Sequence, residues 1–323
     1  MKFTEPANVL CVDLDKRSKW TQCVTSLGRD GSEAKCPRPL LVFFRGERVS
    51  GNGGRKEDVV RILTALYEAA AFAAPRWEVV PLFQFCGWTR RSIAERFNVS
   101  RYQEVEDVRV GEADGGRESS LLSSCVVEPE VETCSTSYGS MDEVCVGGTF
   151  DRLHAGHRLL LASTVAVCSK TIFVGITSDA LLLKKRNREL LETFDTRKDR
   201  VEEFIRCMNP SLQVAIGVLG DVSRAPMPQE FVMQVDSGEL NAGKPLAITS
   251  ESMDGIVVSR ETVSGATAIN DERATLGYEP LVVISVNLVG ATRQNTDAKK
   301  LSSSDLRELD AAAGVAKSKK AKP

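Results

Sequence analysis

The sequence predicts an α/β fold, with a parallel sheet flanked by helices over its second half and a smaller α/β unit before it. Three observations carry this. From residue 142 onward, short apolar strands alternate with helical segments, the rhythm of a parallel sheet covered on both faces. The first of these strands, Val144-Cys145-Val146-Gly147, ends in glycines and leads directly toward a helix, the strand–turn–helix order in which such sheets build ligand sites. The chain has 323 residues, 42% of them hydrophobic and 27% charged, which suffices for two units that each bury a core.

In the first unit, Leu40–Phe44 is an apolar run of strand length. Residues 56–74 carry helical spacing, with Val59, Val60, Ile62, Leu63, Leu66 and Tyr67 on one face. Val79–Phe83 reads as a second strand, which Pro81 confines to an edge or an irregular position. Thr89–Phe97 reads as a helix with Thr89 as its N-cap. Residues 1–102 are thus assigned to a small α/β domain. Residues 103–141 are rich in Glu, Asp, Ser and Gly without sustained periodicity, and are assigned to an acidic linker.

The second domain spans 142–313. After the first strand, Ala155–Cys168 is a helix apolar on most of its surface, hence buried. Thr171–Ile176 is the next strand, Lys198–Cys207 a helix and Gln213–Val218 a third strand. Residues 222–254 break the rhythm and read as an inserted loop. Gly255–Val258 and Leu281–Leu288 supply two more strands, and Ser302–Ala313 closes with a short helix. Residues 314–323 are expected to form a basic, disordered tail.

Composition excludes several classes. A net charge of −2 gives no global attraction to nucleic acid or to an anionic membrane. No apolar stretch has transmembrane length and the N-terminus lacks the pattern of a signal peptide. The nine cysteines form no C-x-x-C pair, which fits small apolar residues in a reducing, cytoplasmic setting better than a zinc ribbon or a disulfide framework.

The two histidines of the chain both lie in Gly147-Gly148-Thr149-Phe150-Asp151-Arg152-Leu153-His154-Ala155-Gly156-His157. Glycines after a strand let backbone amides approach a ligand, and the free N–H groups of the following helix favour a phosphate. Three residues apart, His154 and His157 share one face of the first helical turn. The alternatives are ordinary helix-start histidines, or a metal site that would need Cys or carboxylate help.

This stretch resembles the G-G-T-F-D-x-x-H-x-G-H signature of the nucleotidyltransferase superfamily, and the fold it implies is a Rossmann-like parallel sheet. The resemblance implies that His154 and His157 contact the nucleotide phosphates, with His157 stabilising the transition state, and that Gly147, Gly148, Thr149 and Phe150 contact phosphate. Downstream, Lys300-Leu301-Ser302-Ser303-Ser304-Asp305-Leu306-Arg307 resembles the superfamily's I-S-S-T-x-x-R motif, with Leu for Ile and Ser304 for Thr. Ser302, Ser303, Ser304 and Arg307 would then hold the β- and γ-phosphates. A plain capping box of Ser302 with Asp305 is the alternative. In the basic run Leu183–Arg188 the resemblance assigns an active-site lysine, Lys185, with Lys184 as the alternative register.

Val257-Val258-Ser259-Arg260-Glu261-Thr262, followed by Gly265, Ile269-Asn270 and Arg273, resembles the eukaryotic and archaeal phosphopantetheine adenylyltransferases, including that domain of the coenzyme A synthases. Thr262 would contact adenine, with Asn270 and Arg273 near phosphate. The resemblance covers about half the chain. It implies transfer of an adenylyl group from ATP, with Mg²⁺ carried by the phosphates and water rather than by protein side chains, to 4′-phosphopantetheine. A cytidylyltransferase, a nicotinamide-mononucleotide adenylyltransferase and a catalytically silent nucleotide-binding scaffold are the competing readings. Gly238–Lys244 mimics a Walker A loop, but Pro245 stands where the metal-binding hydroxyl belongs. Gly51-Asn52-Gly53-Gly54 reads as a turn. The kinase domain that follows in coenzyme A synthases is not expected here. Residues 1–140 are candidates for docking a neighbouring enzyme of coenzyme A synthesis, for binding a regulator, or for supporting the catalytic domain.

Overall fold

The structure is a computed structural model that describes residues 5–16, 18–29, 37–46, 56–105, 141–219, 245–287, 289 and 302–320, with the side chains of 56, 57 and 313–320 excepted. The bulk of the acidic linker, the Walker-like stretch and the Gly51–Gly54 turn lie outside the described residues.

The first unit holds strands β1 (Ala7–Asp13), β2 (Leu40–Arg45), β3 (Val79–Phe83) and β4 (Val99–Glu104), with helices α1 (Trp20–Arg29), α2 (Lys56–Ala73) and α3 (Arg90–Arg96). All strand pairs are parallel, in the order β3-β2-β1-β4. Pro81 lies opposite Val42 on the edge strand β3, where a missing amide hydrogen is tolerated. Thr89 caps α3 in a capping box with Ser92. The sequence reading omits β1, α1 and β4. For β4 the reason is physical: VSRYQE is an exposed edge and carries no apolar run.

The second unit holds β5 (Met141–Gly148), α4 (Ala155–Val167), β6 (Cys168–Thr177), α5 (Phe194–Met208), β7 (Gln213–Leu219), α6 (Leu246–Thr249), β8 (Gly255–Ser259), α7 (Val263–Thr275), β9 (Val282–Val286) and α8 (Ser303–Lys320). Its sheet is wholly parallel, in the order β7-β6-β5-β8-β9. The chain builds outward from β5 through β6 and β7, then crosses back to β8, so the switch point lies between β5 and β8. Alternation sends Val144, Val146 and Val257 to one core and Cys145, Ile256 and Val258 to another on the opposite face. The α8 helix departs from expectation. It continues past Ala313 to Lys320. Ala311-Ala312-Ala313 have high helix propensity and propagate an established helix.

The two units share one apolar core. Nearly every residue of α4 is buried, because the sheet covers one side of it and α2 packs on the other. Trp88 of the first unit donates from Nε1 to the Met208 carbonyl at 2.7 Å, and Arg158 of α4 lies 3.9 Å from Glu78. Among the described residues the cysteines form no disulfide. Burial pushes the Cys145 thiol up to about 12 and Cys168 up to about 11, so both act as packing residues. Among the described residues, no helix is long and apolar enough to cross a membrane.

Candidate active site

The site forms at the carboxyl end of β5, beside the switch point, where open α/β sheets bind ligands. Gly147 and Gly148 end the strand, and a tight loop leads into α4. A Cβ on Gly148 would come within 3.1 Å of the Phe150 ring. Phe150 and Arg152 adopt left-handed backbone conformations, with φ of 53° and 49°. Such conformations cost about 1–3 kcal/mol at non-glycine residues and persist where surrounding contacts over-determine them. Those contacts are present. The fully buried Phe150 side chain anchors the loop, Arg152 N donates to Glu192 Oε2 at 2.9 Å, and the Thr149 carbonyl accepts from Arg197 Nη1 at 2.7 Å.

His154 is the N-cap of α4. Its Nδ1 accepts the Gly156 N–H at 3.2 Å, which leaves the proton of a neutral ring on Nε2. A Cβ on Gly156 would press on that ring at 3.2 Å. The His154 and His157 rings stack with centroids 4.0 Å apart, and the Phe150 ring lies 5.3 Å from His157. Two imidazoles and the first amides of α4 thus face the same end of the sheet. Among the described residues no cluster of three His, Cys, Asp or Glu forms a metal cage.

Asp151 ties this loop to the second motif. Its fully buried carboxylate receives Arg307 Nη1 and Arg152 Nη1 on the side-chain oxygens, and its carbonyl accepts from Ser303 Oγ at 2.7 Å. Arg307 also donates to the Arg186 carbonyl at 3.1 Å and to Ser304 Oγ at 3.0 Å. One guanidinium therefore joins the glycine loop, the basic loop and the start of α8. Arg307, expected at the phosphates, is 2% exposed and donates to Asp151, Arg186 and Ser304. Ser302 does form a cap, donating to Asp305 Oδ2 at 2.7 Å and accepting from Asp305 N at 3.3 Å. That local role keeps Ser302, Ser303 and Ser304 at a helix start beside Asp151. Lys184 and Lys185 are exposed on the loop after β6, tethered through the neighbouring Arg186, whose side chain pairs with Glu308 at 2.7 Å.

Thr262 begins α7 at the carboxyl end of β8, with its hydroxyl bonded to the Ser259 carbonyl. Asn270 and Arg273, expected near phosphate, are placed at the other end of the sheet. Asn270 bonds both backbone groups of Leu281, just before β9. Arg273, fully buried, donates to the carbonyls of Ala247, Ser250, Met253 and Glu279, all at the amino-terminal side of β8 and β9. The cause is geometric: α7 runs antiparallel to β8, and three helical turns separate Thr262 from Arg273, roughly 16 Å.

Sequence reasoning missed Arg197. Fully buried in the first turn of α5, it donates to the carbonyls of Thr149, Thr177 and Glu192 and to Asp179 Oδ1, fastening the carboxyl ends of β5 and β6 together. One basic residue in an amphipathic helix leaves no local signal of such a role.

A family model described as cytidylyltransferase-like matches residues 145–309, which contain every element of this site. The chain belongs to the cytidylyltransferase-like family. Within this family, it is 37% identical over 164 residues to the phosphopantetheine adenylyltransferase of Saccharomyces cerevisiae, a match covering 51% of this chain and 47% of that protein. An uncharacterized protein of Schizosaccharomyces pombe is 30% identical over 167 residues, covering 50% and 46%. The phosphopantetheine adenylyltransferase of Methanopyrus kandleri is 31% identical over 169 residues, covering 52% of this chain and 90% of that protein. This cytidylyltransferase-like chain spans about half the length of its two fungal relatives.

Proposed function

We propose that this chain transfers an adenylyl group from ATP to 4′-phosphopantetheine, giving dephospho-coenzyme A and pyrophosphate in a cytoplasmic coenzyme A pathway. The carrying observation is the convergence on one sheet end of the stacked His154 and His157, the Gly147–Phe150 loop and the serine-bearing start of α8. The names of the Saccharomyces and Methanopyrus relatives support the choice of acceptor.

The acceptor phosphate attacks the α-phosphorus in line, its oxygen forming the new P–O bond as the bond to the leaving pyrophosphate breaks. No protein nucleophile is required, so catalysis is positioning and charge stabilisation. His154, its Nδ1 occupied by Gly156, offers Nε2–H to a phosphate oxygen. His157 stabilises charge at the α-phosphorus. Amides of Gly147, Gly148, Thr149 and Phe150 hold phosphate oxygens, Lys185 bridges donor and acceptor, and Ser302–Ser304 hold the pyrophosphate end. Thr262 contacts the adenine. Mg²⁺, entering with the triphosphate, would lower its charge; oxygen ligands from phosphate and water suit it.

The test is pyrophosphate release by the purified chain with ATP or CTP, and with 4′-phosphopantetheine or nicotinamide mononucleotide. Release with ATP and 4′-phosphopantetheine alone is expected. Preference for CTP or for the mononucleotide would replace the substrate assignment, and binding of ATP without turnover for any pair would point to a silent scaffold.

A further inference from the structure

The first unit reaches the second motif directly. Arg76, in the turn between α2 and β3, donates from Nη2 to Asp310 Oδ1 at 2.5 Å and to the Leu306 carbonyl at 3.2 Å. Asp310 Oδ2 accepts from Arg152 Nε at 2.8 Å. One carboxylate on α8 is thus gripped from two sides, by the first unit and by the left-handed loop of the site. Ser303, Arg307 and Asp310 recur at helical spacing and form one face of α8. That face meets Asp151 through Ser303 and Arg307, and Arg152 through Asp310.

The turn that carries Arg76 is itself fixed. Trp77, buried beside it, donates from Nε1 to the Arg38 carbonyl at 2.7 Å. The α2 helix packs on α4, and Trp88 is bonded to α5. Arg76 therefore acts from a frame that is rigid with respect to the sheet of the second unit, and it holds α8 one to two turns beyond the serines.

We propose that Arg76 is a positioning residue for the nucleotide site: it sets the start of α8, so that Ser302–Ser304 are placed to receive the phosphates of the nucleotide. The inference rests on the proposed adenylyl transfer for its kinetic consequence and on the Arg76–Asp310–Arg152 relay for its structural one. It gives the first unit a part in substrate binding without placing any of its residues in contact with substrate.

The experiment uses the full chain and the variants Arg76→Ala, Arg76→Lys and Asp310→Asn. Arg91→Ala serves as a control, because its exposed ion pair with Glu95 lies elsewhere in the first unit. Two readouts are taken: amide hydrogen exchange of residues 303–310, and steady-state kinetics with ATP varied and then the acceptor varied. A partly exposed charged contact supports an expected rise in KM for ATP of roughly three- to tenfold in Arg76→Ala. The kcat and the acceptor KM should stay within about twofold. Exchange in 303–310 should quicken while β5 and α2 stay protected, and Arg76→Lys should recover part of both effects. Unchanged exchange in 303–310 overturns the proposal, and so does a loosening spread equally over β5 and α2. If the parent chain releases no pyrophosphate with any pair, the adenylyl-transfer reading fails on that count, and the exchange arm alone decides whether Arg76 sets α8.

Discussion

At the residue scale, the structure separates side chains that face the ligand end of the sheet from those that hold it together. His157 stacks on a capping histidine at the start of α4. Removing one preorganised transition-state donor costs about 3–4 kcal/mol, so His157→Ala should lower kcat about a hundredfold or more. A His157→Ala enzyme with near-normal kcat in the pyrophosphate assay would remove the assigned role. Arg273 gives the opposite expectation. Its four carbonyl partners are at the far end of the sheet, and hydrogen bonds to a charged group contribute about 1.5–3 kcal/mol each, not additively. Arg273→Ala should therefore lose about 3 kcal/mol or more in denaturant unfolding while the KM for ATP of the folded fraction stays unchanged. A rise in that KM with stability intact would restore Arg273 to the phosphate site. The eleven residues from Gly147 to His157 were legible because their chemistry is local: glycines, a cap and two imidazoles within one loop and one turn. The placement of Asn270 and Arg273 was not, because which end of the sheet a helical residue serves depends on the direction of the helix. A linear motif does not carry that direction. Arg307 lies at the site end, but its bonds to Asp151 and Arg186 are long-range and leave no local pattern.

At the scale of elements, the Asp151–Arg307 pair is the joint between the glycine loop and α8. Both side chains are buried, and deleting one partner of such a pair typically costs about 3–5 kcal/mol, because the other charge is left without compensation. Asp151→Asn and Arg307→Met should each destabilise strongly, and the double variant should cost clearly less than their sum in a thermodynamic cycle. Additive costs would mean that the two charges do not depend on each other. The nearby Asp310 carboxyl is pushed up by partial burial, but hydrogen bonds from Arg152 and Arg76 outweigh this and hold it below the usual carboxylate range. A group with a depressed folded pKa stabilises fully above its unfolded value, about 3.9, and loses that contribution as pH falls through the folded value. The loss of stability below about pH 4 should accordingly be shallower in Asp310→Asn than in the parent chain, and equal slopes would show the carboxyl to be uncoupled from folding. Strands β2, β3 and β5 to β9 were readable from apolar runs. The exposed edge β4 was not, and the far end of α8 was misjudged because its lysines resemble a solvated tail as much as a helix terminus.

At the scale of the whole molecule, two parallel sheets share one core through α2 and α4. The expectation of a parallel-sheet unit preceded by a smaller α/β unit matches the two sheets, but periodicity does not reveal that the units lean on each other. The sequence did hint at it: α4 is apolar on most of its surface, more than one sheet can cover. A chain starting at residue 141 would expose the side of α4 that α2 covers, and such large apolar patches favour aggregation. That truncation should be insoluble or aggregate on purification, whereas adding residues 1–105 as a separate chain during refolding should raise its recovery. A soluble, fully active fragment would show that the shared core is dispensable.

The same sharing imposes an order in time. During synthesis α2 leaves the ribosome well before α4, since the two are separated in sequence by residues 74–154. At roughly 5–20 residues per second that interval is on the order of 4–16 s. Through those seconds the nascent first unit presents an apolar helix face whose natural cover has not yet been made. The period of greatest exposure to misassembly thus falls in the middle of translation, and synonymous codon changes that slow residues 106–154 would lengthen it without altering a single side chain.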